Sequence, residues 1–341
     1  MGLWFSIAAA AALALIGWFG GEIASLNYIF GVIIPYAAIA VFIIGIIYRV
    51  VKWAKSPVPF KIPTTGGQQK SLDFIRQNKF DSPYTGWQTF WRMVLEVLTF
   101  RSLFRNTKAE IKEGGKLVYG SAKWLWFFAL VFHWSFLIIV LRHFRFFTEP
   151  VPAFVPLLQN IDGFLQVGLP VIYMTDAAIL IALTYLFFRR VFDGKIKYIS
   201  LASDYFPLVL ILLISVSGLL MRYLIKTDLV AIKELTTGLF TFAPVIAGDI
   251  SPLFYMHLFL VSVLLIYFPM SKLMHMPGVF LSPTRNLPNN NRAVRHVNPW
   301  NPDVEVHTYE EYEDEFRPLM KAAGLPLEKD DEDNKEEKNV N

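Results

Sequence analysis

Long apolar stretches separated by short charged connections dominate the chain. A helix needs roughly 20 mostly apolar residues to cross a hydrocarbon core of about 30 Å. Six runs meet that need: Leu3 to Phe19, Ile29 to Val51, Trp124 to Phe147, Pro170 to Phe188, Tyr205 to Leu224 and Pro252 to Leu273. The pattern predicts an all-α, polytopic membrane bundle of six transmembrane helices. Between the second and third runs, Thr85 to Phe104 repeats Trp87, Phe90, Trp91, Val94, Leu95 and Leu98 at helical spacing. That spacing predicts an amphipathic helix, suited to the membrane surface or to a partner. A charged helix is predicted near Tyr309 to Ala322, and the acidic run Glu328 to Lys338 has the composition of a disordered tail.

Composition sharpens this picture. The chain is 54% hydrophobic and only 18% charged, whereas soluble domains carry about 25% charge. A net charge of +4, with Lys and Arg spread between apolar blocks, excludes a nucleic-acid-binding face. The absence of cysteine excludes disulfides, thiolate-held iron–sulfur clusters, covalent haem attachment and Cys-based zinc sites. Lys52 to Ser121 is rich in Lys and Arg while Thr148 to Leu169 has neither, so the positive-inside rule makes the first segment cytoplasmic and the second external. Both termini are then cytoplasmic, in a prokaryotic inner membrane. The loop after Leu224 carries Arg222, Lys226 and Lys233 on the outer side, offset by Asp228, Glu234 and Asp249.

Four of the six histidines lie in or at the ends of the apolar runs: His133 and His143 on the third, His257 and His275 on the sixth. Ionisable side chains inside a membrane are costly and mark function by default. The two helices run in opposite directions, so His133 pairs with His275 toward the inside and His143 with His257 toward the outside. Two facing imidazoles suit a haem held in a bundle core, with both axial positions filled and electron transfer as its role. The rungs do not match on straight helices. Ten residues rise about 15 Å and eighteen about 27 Å, and His143 lies roughly 80° around the helix from His133. A kink or local unwinding at Pro269 would absorb part of the mismatch.

The two histidine pairs, ten apart on one helix and eighteen apart on the last, resemble the di-haem cytochrome b (gamma) subunit of respiratory nitrate reductases. The last five runs would match that family's five, with residues 1–28 forming an extra N-terminal helix and outer loop. Residues 29–275 would be the di-haem domain with a cytoplasmic insert at 52–121, and 276–341 a cytoplasmic tail. Two sequence words, Pro57-Val58-Pro59-Phe60-Lys61-Ile62-Pro63-Thr64-Thr65 with Gln68-Gln69-Lys70-Ser71-Leu72, and Ser282-Pro283-Thr284-Arg285-Asn286 with Asn289 to Arg295, are similar to one branch. That branch is the membrane cytochrome b, subunit M, of the sulfite-reduction-associated transmembrane complex. The resemblance implies two b-type haems, menaquinol as electron donor or acceptor near the outer haem, and a cytoplasmic iron–sulfur partner related to heterodisulfide reductase. Further membrane and periplasmic cytochrome c subunits would complete such a complex, in which this chain is an electron-transfer component. The alternatives are the anchor of another respiratory reductase, such as nitrate reductase, and a haem-free transporter or scaffold.

Other residues have two readings each. Arg142, Arg145 and Arg222 are candidates for haem propionate partners, or interface anchors that snorkel. Asp176 is a quinone-site candidate that would accept a quinol proton, or the partner of a cap or an arginine. His296 and His307, among polar residues without ligand spacing, read as surface side chains.

Overall fold

A computed structural model describes residues 2–58, 61–62, 66–165, 171–297 and 306–328. The chain divides into two units: Met1–Ser56 with Phe60–His296, and Pro57–Pro59 with Val297–Asn341. The larger unit opens with helix α1 (Gly2–Glu22), followed by a π-helical turn (Ile29–Ile33) that leads into α2 (Ile34–Ala54). The segment after α2 holds α3 (Gly86–Thr99), the short α4 (Arg101–Phe104) and an exposed hairpin of β1 (Thr107–Ile111) and β2 (Leu117–Ser121), registered Thr107 to Ser121. Next come α5 (Lys123–Phe147), α6 (Phe154–Asp162), and a small antiparallel pair, β3 (Gly163–Leu165) with β4 (Ile172–Tyr173). Then follow α7 (Met174–Phe192), α8 (Gly194–Ile199), α9 (Ala202–Leu219), α10 (Leu229–Thr241), α11 (Pro252–Tyr267) and the four-residue α12 (His275–Gly278).

Among the described residues, five helices are long and apolar enough to cross a membrane: Gly2–Glu22, Ala24–Ala54, Lys123–Phe147, Ala202–Leu224 and Pro252–Met270. The run from Pro170 to Phe188 begins outside the described residues and folds as α7, which carries Asp176 in its first turn and Arg189 and Arg190 in its last. It packs against α5 and α9 within the bundle. The spans leave broad apolar faces exposed, including Phe5, Ile44 and Trp124, as lipid-facing helices must.

α1 is built into the bundle, against α9 and α11. Small residues let the backbones approach: a Cβ on Gly17 would stand 2.9 Å from Met256 Cα, and one on Gly21 2.9 Å from Pro252 Cα. Ser6 Oγ donates to the Ala202 carbonyl at 3.0 Å. α10 fills a second gap, burying Ile232, Leu235 and Leu239 with Phe30, Phe254 and Tyr255, while Thr236 Oγ1 donates to the Phe146 carbonyl at 2.7 Å. The connections at 148–165 and after Leu224 are partly helical, through α6 and α10.

α3 is capped by Thr85, whose hydroxyl accepts from Gln88 N at 3.3 Å. Its far end is fastened to α5, since Trp126 Nε1 donates to the Thr99 carbonyl at 2.7 Å and Trp134 Nε1 to the Leu98 carbonyl at 3.1 Å. The described parts of the two loop and tail words meet beside it. Lys61 Nζ donates to Asn290 Oδ1 at 2.6 Å, Asn291 Nδ2 to the Lys61 carbonyl at 2.6 Å, and Arg285 Nη1 to Glu96 Oε1 at 2.5 Å.

In the smaller unit, α13 (Tyr309–Ala322) has the predicted bounds and a capping box between Thr308 and Glu311. Its buried Glu313 accepts from Arg317 Nη2 and from the Glu328 amide, both at 2.9 Å. Residues 329–338 of the acidic run lie outside the described residues.

Candidate functional site: two histidine pairs and a buried charge cluster

The structure pairs the four histidines as their helix directions require. His133 of α5 faces His275 with ring centroids 6.0 Å apart and planes at 81°; His143 of α5 faces His257 of α11 at 6.5 Å and 9°. The rungs meet because the last helix is broken. α11 ends at Tyr267, Phe268–Met270 forms a 3-10 turn containing Pro269, Ser271 is extended at φ −113°, and a second 3-10 turn leads into α12.

Each imidazole is oriented through its Nδ1. That of His133 donates to the Ala129 carbonyl at 2.7 Å, that of His143 to the Ile139 carbonyl at 2.7 Å, and that of His275 to the Lys272 carbonyl at 2.8 Å. His257 Nδ1 lies 2.9 Å from Ser217 Oγ, whose own proton goes to the Ile214 carbonyl at 2.9 Å, so the serine accepts from the histidine. Nε2 is thereby the nitrogen left for a ligand in all four, the arrangement that metal-binding histidines adopt. With metal–imidazole bonds of about 2 Å, two opposed rings sharing a metal have centroids about 6 Å apart. Both pairs fit. Among the described residues no group of three or more His, Asp or Glu converges to hold a bare ion, so the pairs suit a centre whose other ligands come from a prosthetic group.

Phe100 closes the first pair from the side. It joins α3 to α4 in the left-handed conformation, φ 50°, which is uncommon for a bulky residue, and its ring meets His133 edge-on at 4.9 Å. Beside the second pair, Gly218 leaves room for His257: a Cβ there would lie 3.3 Å from His257 Cε1.

One residue from His143, Arg142 enters a buried charge cluster. It stands 2.6 Å from Asp176 Oδ1 and 3.2 Å from Asp162 Oδ2. Thr175 Oγ1 donates to Asp162 at 2.6 Å, and Tyr223 OH donates to Asp176 Oδ2 at 2.8 Å. Arg222 Nε is 3.9 Å from Asp176, and the Arg142 and Arg222 guanidinium carbons stand 3.9 and 4.2 Å from the Tyr173 ring centroid. Two arginines and two aspartates balance each other, as burial demands. The fold gathers them from α5, the end of α6, β4, the start of α7 and the π-helical turn Leu220–Leu224 after α9. That wider turn delivers the sequence neighbours Arg222 and Tyr223 to the same place.

Three of the singled-out residues, Arg142, Asp176 and Arg222, therefore share one cluster. Arg145 stays apart, over the Phe146 ring at 5.6 Å. Sequence reasoning missed Asp162, Thr175, Tyr173 and Tyr223 in the cluster, and Ser217 and Phe100 beside the histidines. Of these, Tyr223, adjacent to Arg222, and Thr175, adjacent to Asp176, carried a sequence signal. His296 joins neither histidine pair, and His307 lies in the smaller unit.

Fold and site together define a multi-pass membrane protein with two opposed histidine pairs on antiparallel helices. The chain belongs to the nitrate reductase gamma subunit family, which it matches over residues 92–296. It is also similar to the Hdr-like menaquinol oxidoreductase cytochrome b-like subunit of Archaeoglobus fulgidus, 52% identical over 284 residues covering 81% of this chain and 85% of the relative. The protein of the same name from Archaeoglobus profundus is 48% identical over 280 residues, 80% of this chain and 83% of the relative.

Proposed function

We propose that this chain is the di-haem b membrane subunit of a respiratory complex in dissimilatory sulfur metabolism, relaying electrons between menaquinol and a cytoplasmic iron–sulfur subunit. The observation that carries the reading is the pair of histidine couples, each about 6 Å across, with every Nδ1 already committed. His133 and His275 would hold the inner haem, and His143 and His257 the outer. A haem so held would supply one-electron transfer.

The protein's own contribution is orientation and charge. Ala129, Ile139, Lys272 and Ser217 hold the imidazole planes through Nδ1. Arg142 and Tyr223 hold the Asp176 carboxylate in place at the outer end, where its Oδ2 would accept a proton from quinol. Arg145, without an acidic partner among the described residues, is an outer cation left for a propionate. The Lys61, Asn290 and Arg285 contacts knit loop and tail into a cytoplasmic platform at the His133 end, where the iron–sulfur partner would dock. The likeness to the sulfite-reduction-associated branch is carried by those same loop and tail words, and the names of the two Archaeoglobus relatives support a quinol-linked complex of several subunits.

The test is a pyridine haemochrome assay with a redox-difference spectrum on the purified chain and on four variants. Two low-spin b haems are expected. His133→Ala and His275→Ala should each remove one haem, and His143→Ala and His257→Ala the other. A colourless protein after expression with haem supplied overturns the reading. Asp176→Asn should slow menaquinol oxidation and change its pH profile, with both haems retained; an unchanged profile removes Asp176 from the quinone site.

A further inference from the structure

Beside His275 lies a cavity of about 560 Å³, lined by Arg49 and Trp53 from α2, Ser203 from α9, Tyr267 from α11, and Lys272 and His275 from the broken segment. Its charges are not equivalent. Lys272 is already paired with Asp204 at 2.7 Å. Arg49 has no ion pair or hydrogen bond among the described residues, and its Nε is buried without an acceptor. The Trp53 ring, with its centroid 5.3 Å from the guanidinium carbon, offers a cation–π contact but no acceptor oxygen.

A buried guanidinium nitrogen without an acceptor is costly, and the groups that best relieve it are carboxylates and phosphates, which accept two parallel N–H bonds. Arg49 is held where such a group would be. It lies one turn from Trp53, which abuts Gly278 of α12, where a Cβ would be 3.4 Å from the indole. α2 is thus closed onto the segment that carries His275. The cavity walls, aromatic and Met-rich with one cation left without an acidic partner among the described residues, match a flat apolar ring bearing acid groups on an edge.

We propose that Arg49 binds a propionate carboxylate of the haem held by His133 and His275, an inference that rests on the di-haem reading. Arg49 lies outside residues 92–296, so the family match assigns it no role. A cation beside a haem favours the reduced form, which carries one positive charge fewer. Removing it should lower the midpoint potential of that haem and leave the other unmoved.

The experiment is a spectroscopic redox titration of the full chain and of Arg49→Gln and Arg49→Lys, repeated in a His143→Ala background that keeps only the inner haem, with haem and lipid phosphorus counted in each sample. Arg49→Gln should change the reduced-to-oxidised ratio of the inner haem about tenfold, a downward shift of about 59 mV for one electron. Arg49→Lys should recover most of it. Loss of the inner haem alone in Arg49→Gln also supports the assignment. Two haems with unchanged potentials overturn it, and so does an equal shift of both. Loss of a co-purifying phospholipid at unchanged potential overturns it in favour of a lipid phosphate. Absence of haem from the unmodified chain is the separate failure of the di-haem reading.

Discussion

Arg142 is the residue on which most depends. It serves two buried aspartates at once, and removing one partner from such a group leaves a buried charge uncompensated, at about 3–5 kcal/mol. Arg142→Gln should therefore lower the unfolding midpoint of the detergent-solubilised protein by more than Arg145→Gln, which loses only a half-buried cation over the Phe146 ring. Ser217 acts on a smaller scale. Ser217→Ala takes the acceptor from His257 Nδ1, so on the proposed di-haem reading haem affinity at the His143–His257 pair should fall about tenfold while the His133–His275 pair is unchanged; a haem titration with difference spectra measures both. Of these residues, Arg142 and His257 stood out in the sequence because a charge or imidazole within an apolar run is conspicuous. Asp162 and Ser217 did not, because their importance comes from partners 13 to 40 residues away.

At the level of elements, apolar runs were easy to read and their packing was not. α1 and α2 are legible from length and hydropathy, whereas α6 and α10 mix polar and apolar residues over one to three turns and look like loop. The glycines of α1 gave no sign that they face α11. Gly17→Leu should force those backbones apart and destabilise the protein by about 1–3 kcal/mol, read as a lower thermal midpoint. α3 has a lipid-side reading that the structure favours, because Trp126 and Trp134 anchor its end along a span while Trp87, Phe90 and Trp91 remain exposed. Brominated lipids should quench Trp87 and Trp91 fluorescence in vesicles, and a partner-facing helix would be untouched. In α13, the Thr308 amide and hydroxyl hold the Glu311 carboxyl below the usual glutamate range. A depressed carboxyl stabilises the helix above its unfolded pKa and ceases to do so as pH falls through the folded value. Hydrogen exchange at the first α13 amides, corrected for intrinsic rates, should therefore quicken at acid pH, less so in Glu311→Gln.

The whole molecule places unlike pairs at its two ends. Ring planes at 81° in one and 9° in the other should give two low-spin ferric signals of different anisotropy, because the mutual orientation of axial imidazoles sets the splitting of the iron orbitals. Electron paramagnetic resonance on the His133→Ala and His143→Ala proteins should isolate one signal each. Antiparallel helices made the pairing legible from sequence alone; the plane angles were not, since they are set by Nδ1 contacts to carbonyls and to Ser217. The break at Phe268–Ser271 has a consequence for how such a protein changes over evolutionary time. On one rigid rod, any insertion or twist that adjusted His275 would also turn His257 away from its partner. With a break between them, each end of the proposed relay can be retuned for a new electron donor or acceptor while the other keeps its setting.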